Sequence, residues 1–246
     1  MPVNLVGVAI STAFFPNLTE SLANDRMDIF KKDLQKALRM ITFLALPISV
    51  LFYTMRGYIV NFIKNGGDTL MSNLLGILVL SIFCRSIFHI AARSFYAMQD
   101  TKTPLRVSIF AIGLNMVLAV WFSLSLGMGA YGLAWAQSIG AVVEITLLLF
   151  LMKRRIKGLF DASFVSAIVK MLIASVVAGV TSYVLVLGFP LLSSDESFLA
   201  TFPKFCCVGF ASCLIYLIVA RIFRLEETNL IISRIKKILF AQFRVK

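Results

Sequence analysis

The sequence predicts an all-α fold, a polytopic bundle of transmembrane helices, and three observations support this prediction. Of the 246 residues, 59% are hydrophobic and 15% are charged, with a mean hydropathy of +0.91, so the chain is too apolar for an ordinary water-exposed surface. Six long apolar stretches and a shorter one at the start fill the chain, and a helix needs roughly 20 residues to cross a bilayer. Strand-type alternation is absent, as expected where backbone groups must pair within their own segment.

The predicted spans follow from these apolar stretches. In order along the chain they are residues 3–15, 37–62, 70–98, 104–126, 129–152, 162–189 and 200–223. The first ends before Pro16 and is short for a span, so we expect an upstream part of the natural protein to be missing. In the second, Pro47 should remove one backbone hydrogen bond and permit a kink. The fourth should begin with Thr103 as its cap and Pro104 at its first position.

Basic residues gather in alternate connections between the spans, and this alternation predicts an orientation. The first, third and fifth connections and the C-terminus carry Lys and Arg, including the basic turn at residues 153–155. The positive-inside rule places these segments in the cytoplasm, so Met1 should lie outside and any preceding part should have an odd number of spans. The net charge of +12 sits in these loops and the tail, which argues against a nucleic-acid partner.

The pattern changes after the last span. In residues 225–246 the apolar residues Ile231, Ile235, Ile238 and Leu239 recur at helical spacing among Lys and Arg. This spacing predicts an amphipathic helix on the anionic cytoplasmic surface of the membrane. A frayed basic tail is the alternative.

The most unusual polar set lies in the third span. Arg85, His89 and Arg93 are spaced four residues apart, so they project from one helix face. Arg85 lies roughly 20 Å from the inner end of the helix, too deep to reach the interface easily. A cationic stripe facing a wet cavity would suit an anionic substrate such as a phosphate-bearing lipid. Alternatively, Arg85 pairs with a carboxylate and Arg93 reaches the inner interface.

Glu144 is the acidic residue placed well inside a span, with Gln137 two turns earlier on the same face. A buried carboxylate either pairs with a cation or stays neutral, and we expect Glu144 to pair with an arginine of the bundle. Asn115 is interpreted as a hydrogen-bonding residue between helices.

Sequence signatures of enzymes and metal sites are missing. The chain has no H-E-x-x-H, G-x-S-x-G or P-loop pattern and a single histidine, so we expect no enzyme activity. The four cysteines lie in apolar stretches without His or carboxylate partners at ligand spacing, so no metal or cofactor is expected.

Residues 93–104, R-S-F-Y-A-M-Q-D-T-K-T-P, resemble the R-x-F-Y-A-x-Q-D-T-x-T-P signature of the MurJ/MviN lipid II flippases. Residues 7–18 are similar to that family's G-V-A-x-x-T-x-x-x-P-x-L pattern, and residues 132–134 match its G-L-A. The order and spacing of the three motifs fit the family along essentially the whole chain.

The resemblance implies a member of the multidrug/oligosaccharidyl-lipid/polysaccharide exporter superfamily, equivalent to helices eight to fourteen of a fourteen-helix carrier. It implies a part of a lipid II flippase that works by alternating access in the bacterial inner membrane and needs a missing N-terminal lobe. Residues 1–152 would be an incomplete C-terminal lobe, 153–224 the final helix pair, and 225–246 the surface helix. The residues that the resemblance carries over are His89 and, at the inner hairpin, Arg93, Asp100 and Lys102. Our own physical interpretation is that Asp100 with Lys102 latches the inner gate; the alternative is that these residues only form a stable turn.

Two other functions stay open. The same superfamily exports other polysaccharide-linked lipids. A non-transport membrane scaffold would instead use its polar groups only to hold helices together, and it predicts that Arg85 meets a carboxylate and that no open cavity exists.

Overall fold

The computed structural model describes residues 2–64, 67–190 and 198–229, and within these ranges the chain is helical without strands. The helices are α1 (Pro2–Ala23), α2 (Met27–Thr54), α3 (Arg56–Ile63), α4 (Thr69–Ala97), α5 (Lys102–Val120) with a π-helical turn at Trp121–Ser125, α6 (Ala130–Arg155), α7 (Ala162–Gly188) and α8 (Phe198–Ile222). In the described part, six segments are long and apolar enough to cross a membrane: α2, α4, α5 with its π-turn, α6, α7 and Thr201–Ile222 of α8.

The predicted end of the first helix before Pro16 is wrong, because α1 runs through Pro16 to Ala23. Proline removes one backbone donor, but membrane helices tolerate this loss where hydroxyl groups and packing compensate. The lost bond is the one that the Thr12 carbonyl would accept, and Leu18, two residues after the proline, is fully buried in the core. The packing of this polar second half against α2 therefore holds it in helical form.

The second predicted span is longer than expected and consists of two helices, α2 and α3. α2 begins at Met27 and runs through Pro47 to Thr54. The chain leaves helical geometry at Met55 and resumes in α3, where the Tyr58 hydroxyl donates to the Phe189 carbonyl. A bend at Pro47 stays a prediction.

The main core surrounds α4, which packs against α1, α2 and α6. Its buried members include Phe30, Ile41, Ile90, Phe95 and Leu148. α1 crosses α4 very closely: a Cβ at Gly7 would lie 2.6 Å from the Ser86 carbonyl oxygen. Glycine therefore permits a helix contact that a larger residue would prevent.

The final helix pair packs on the outside of this core. α7 lies against α2, and α8 lies against α7. The Tyr216 hydroxyl donates to the Phe43 carbonyl at 2.8 Å, and Met171 and Ala174 are fully buried beside them. Most of the amphipathic segment predicted at 225–246 lies outside the described residues, which end with a helical turn at 226–229.

Candidate functional site

The cationic stripe lies on one face of α4, as its spacing predicts. Arg85 is exposed, and His89 and Arg93 are half-buried. Among the described residues, no carboxylate lies within 4.0 Å of any of the three side chains. The alternative in which Arg85 pairs with a carboxylate is therefore not met in the described part, and its charge lies on an open face near the middle of α4.

The inner turn between α4 and α5 is organised by Asp100. One carboxylate oxygen accepts the Thr103 backbone N–H at 3.0 Å, and the other accepts the Thr103 hydroxyl at 2.6 Å. The prediction that Thr103 caps α5 is wrong, because α5 begins at Lys102 and the carboxylate of Asp100 takes the free N–H. Pro104 still lies in the first turn, where its missing N–H costs little.

Asp100 forms its ion pair with Arg155, the last residue of α6. Arg155 Nη2 lies 2.5 Å from Asp100 Oδ2, and its guanidinium lies 5.6 Å from the centre of the Phe95 ring. Lys102 is exposed, and no carboxylate within the described ranges lies within ion-pair distance of it, so a latch of Asp100 and Lys102 at the inner gate stays a prediction. The hydrogen bonds from Thr103 and then the charge of Arg155 hold the pKa of Asp100 below its ordinary value.

The sequence does not indicate Arg155 as a site residue. It belongs to the basic turn 153–155, whose charges predict only the orientation of the chain in the membrane. The available signal is that both Asp100 and Arg155 lie at helix ends that the charge pattern places on the same side of the membrane. The structure thus joins the α4–α5 turn to α6 by a charged contact.

Two polar pairs connect α5 and α6 inside the membrane. Ser108 Oγ donates to Glu144 Oε1 at 2.7 Å, and Asn115 Nδ2 donates to Gln137 Oε1 at 2.8 Å. The interpretation of Asn115 as an interhelical residue is confirmed. The expectation that Glu144 pairs with an arginine is wrong for the residues that the structure describes, because a neighbouring hydroxyl on α5 satisfies this oxygen.

A second ion pair, which the sequence did not indicate, ties α2 to the chain after α8. Arg39 Nε lies 2.5 Å from Glu227 Oε1, with side chains that are 17% and 8% exposed. Glu226 is less closely placed: its Oε2 lies 3.8 Å from Arg39 Nη2, and its side chain is 85% exposed. Within the described ranges, no group of three or more His, Cys, Asp or Glu residues is placed to hold a metal ion.

Comparison with known proteins gives one consistent match. The sequence model of the family described as "Lipid II flippase MurJ" matches residues 1–199. A probable lipid II flippase MurJ of Rhizobium tropici is 23% identical over 244 residues, covering 96% of this chain and 45% of the relative. A probable lipid II flippase MurJ of Vibrio cholerae is 31% identical over 163 residues, covering 60% of this chain and 29% of the relative.

A solved structure titled "Lipid II flippase MurJ, inward closed conformation" has the same fold, with a TM-score of 0.70 at 23% identity. The likeness covers 90% of this chain and 44% of that chain. The chain therefore spans less than half the length of these relatives.

Proposed function

Because the chain belongs to the lipid II flippase MurJ family, we propose that it forms the C-terminal part of a carrier for a lipid-linked peptidoglycan precursor. The carrier works by alternating access in the bacterial inner membrane, as part of cell-wall synthesis. Its cargo is an anionic lipid, and the role of this chain is to bind and move that lipid without changing its covalent bonds.

The proposed carrier has two lobes, of which this chain supplies one incompletely. Residues 1–152 belong to that lobe, 153–224 form the final helix pair, and 225–246 form a helix on the cytoplasmic surface. A missing N-terminal lobe supplies the second wall of the cavity, since alternating access needs two units that rock about a site near the midplane. The length of the relatives, about twice that of this chain, supports this division.

The observation that carries the proposal is the open position of Arg85. A charged side chain at this depth is costly when it faces lipid, and such residues usually face a bundle interior or a water-filled cavity. Arg85 is exposed and has no carboxylate partner in the described part of the chain. A second wall that encloses Arg85 and His89 would create a cationic cavity suited to a phosphate-bearing headgroup.

The contact between Asp100 and Arg155 gives this lobe a rigid inner end. It joins the α4–α5 turn to α6, so these three helices are expected to rock together during alternating access. In the proposed orientation this end and the C-terminus face the cytoplasm, in keeping with the basic turn at residues 153–155.

The two alternatives differ in how they fit these contacts. A carrier of other polysaccharide-linked lipids would use the same cationic stripe, so the stripe does not separate it from a lipid II carrier. A membrane scaffold requires Arg85 to meet a carboxylate, and that contact is absent from the described residues. The open, unpaired arginine therefore favours a carrier.

The test is an export assay in cells whose only flippase is a complete carrier that contains this chain. R85A and H89A should each reduce delivery of the precursor to the outer face, R85A by roughly tenfold, because one charge-assisted contact to the headgroup is lost. The matched control is K170A, which removes a half-buried cation from α7. Export that is equal in R85A and K170A would contradict the proposal.

A further inference from the structure

An apolar groove lies at the end of the bundle opposite the basic turn 153–155. It has a volume of about 660 Å³ and is formed by α2, α4 and α6 together with the first residue of α3. Its walls are mostly apolar and include Val50, Leu80, Phe83 and Trp135. Leu80 and Trp135 are 46% and 42% exposed, so the groove is open along its side in the described part of the chain. We call it the outer groove.

The outer groove lies on a different side of α4 from the cationic stripe. Leu80 lines the groove, and His89 lies nine residues later, or two and a half turns, which places the two side chains on opposite faces. A ligand in the outer groove would therefore not occupy the proposed transport cavity.

Arg56 supplies the charge of the outer groove. Its guanidinium lies 4.8 Å from the centre of the Tyr53 ring, and its Nη1 donates to the Tyr53 carbonyl at 2.9 Å. No carboxylate of the described chain lies within 4.0 Å of it. Asp68, at the start of α4, is already engaged, because it pairs with Lys64 at 2.7 Å and caps α4 through the Met71 N–H. Arg56 is thus held in place by neutral groups and has no counter-charge there.

The local sequence favours this position of Arg56. A Cβ at Gly76 would lie 3.2 Å from Arg56 Cδ, so the glycine lets the arginine stem rest against α4. Three aromatic residues, Tyr53, Tyr131 and Trp135, line the same end of the groove. Tyr and Trp are typical of the level at which headgroups meet the hydrocarbon region.

We propose that the outer groove binds one anionic phospholipid of the outer leaflet, such as phosphatidylglycerol, with its phosphodiester on Arg56 and an acyl chain along the apolar walls. The volume lies within the range of about 300–1,000 Å³ that is usual for ligand pockets. Basic pockets between transmembrane helices bind anionic headgroups on the cytoplasmic side of membranes, and Arg56 offers the same kind of contact at the opposite end of the bundle. A single guanidinium matches the single net charge of phosphatidylglycerol, whereas phosphatidylcholine carries its own cation and the pyrophosphate of a lipid-linked precursor would call for several cations. The proposal therefore concerns a bilayer lipid and does not depend on the proposed cargo.

The two tryptophans of the chain make a direct test possible. W121F leaves Trp135 in the outer groove as the reporter, and W135F leaves Trp121, which is 53% exposed on the π-turn. The chain is reconstituted in phosphatidylcholine vesicles in which part of the lipid is brominated, either as phosphatidylglycerol or as phosphatidylcholine, and bromine quenching is measured. Trp135 should be quenched at lower mole fractions of brominated phosphatidylglycerol, whereas Trp121 should not distinguish the two lipids.

Variants of the groove then test the role of Arg56 in the W121F background. R56Q should raise the half-quenching fraction of phosphatidylglycerol roughly fivefold, because one cation is removed, and R56K should keep the preference. R106Q removes an exposed arginine at the opposite end of the bundle and should change nothing. G76L fills the groove and should weaken quenching of Trp135 by both lipids.

The proposal is overturned if Trp135 is quenched equally by both lipids, or if R56Q keeps the preference. Protection of Trp135 from both lipids would also overturn it, because a protein segment or a second copy would then occupy the groove. If R56Q does not fold, R56K and G76L still decide, since loss of the preference in R56K or unchanged quenching in G76L contradicts the proposed contacts.

Discussion

The carboxylate of Asp100 lies 2.5 Å from the guanidinium of Arg155, across the space between the α4–α5 turn and the end of α6. The same carboxylate accepts the N–H and the hydroxyl of Thr103. Asp100 therefore has two roles, one as the cap of α5 and one as the ionic partner of α6. The two roles can be separated by mutation, because Arg155 takes part only in the second.

Removal of Asp100 should cost more stability than removal of Arg155. D100A loses the cap and the ion pair, which together are worth about 1–2 kcal/mol. R155Q loses a pair whose arginine is 47% exposed, so about 0.5 kcal/mol is expected. Unfolding in detergent, followed for both variants and for the double variant, measures the coupling between the two residues. Equal costs for D100A and R155Q would contradict a separate capping role.

Asp100 should also make stability depend on pH in the acid range. Its pKa is lowered in the folded protein, first by Thr103 and then by Arg155, from an ordinary value of 3.8. The ionised carboxylate therefore contributes its full stabilisation when the pH is above 3.8. This stabilisation is lost as the pH falls through the lower pKa that Asp100 has in the folded protein. As the pH is lowered through this range, the free energy of unfolding should fall more steeply for the natural chain than for D100N. Parallel curves would show that the carboxylate charge contributes nothing.

The transmembrane architecture could be predicted from the sequence because it depends on long apolar runs, whose length is set by the thickness of the bilayer. The predicted fourth to sixth spans agree with α5, α6 and α7 to within a few residues at most ends. Errors occurred where tertiary contacts decide. Pro16 was expected to end α1, but burial of Leu18 continues the helix. Such packing is not encoded in the local pattern.

The candidate site was predictable by residue type but not by partner. The spacing of Arg85 and His89 places them on one face of α4 from sequence alone. The partners of Asp100 and Glu144 depend on which helices meet, and α6 supplies Arg155 to one while α5 supplies Ser108 to the other. The ion pair of Asp100 therefore joins it to Arg155 of α6, a residue 55 positions later in the chain, which no local pattern indicates.

The orientation can be tested by labelling single cysteines in intact cells. The four native cysteines are first replaced, since Cys206, Cys207 and Cys213 are exposed. M128C lies in the uncharged turn before α6, and K153C lies near its other end; both positions are exposed. A membrane-impermeant maleimide added outside should label M128C at once and K153C only after permeabilisation, because basic turns face the cytoplasm. The reverse pattern would overturn the orientation.

Disruption of the Arg39–Glu227 pair should release the end of the final helix pair from α2. Both side chains are mostly buried, and removal of one partner from a buried pair leaves an uncompensated charge at a cost of about 3 kcal/mol or more. E227A should therefore unfold at a clearly lower denaturant concentration in detergent. E226A is the matched control, because Glu226 is 85% exposed and 3.8 Å from Arg39, and it should change the unfolding free energy by about 0.5 kcal/mol or less.

The double variant R39M/E227L separates the cost of an unpaired charge from the value of the pair itself. Replacement of a buried ion pair by apolar residues is often neutral, so this variant should recover most of the stability lost in E227A. Recovery would mean that Arg39 and Glu227 contribute mainly by fixing where the end of α8 meets α2. If E227A and E226A unfold alike, the pair does not hold the final helices, and the contact of Tyr216 with Phe43 would carry that role.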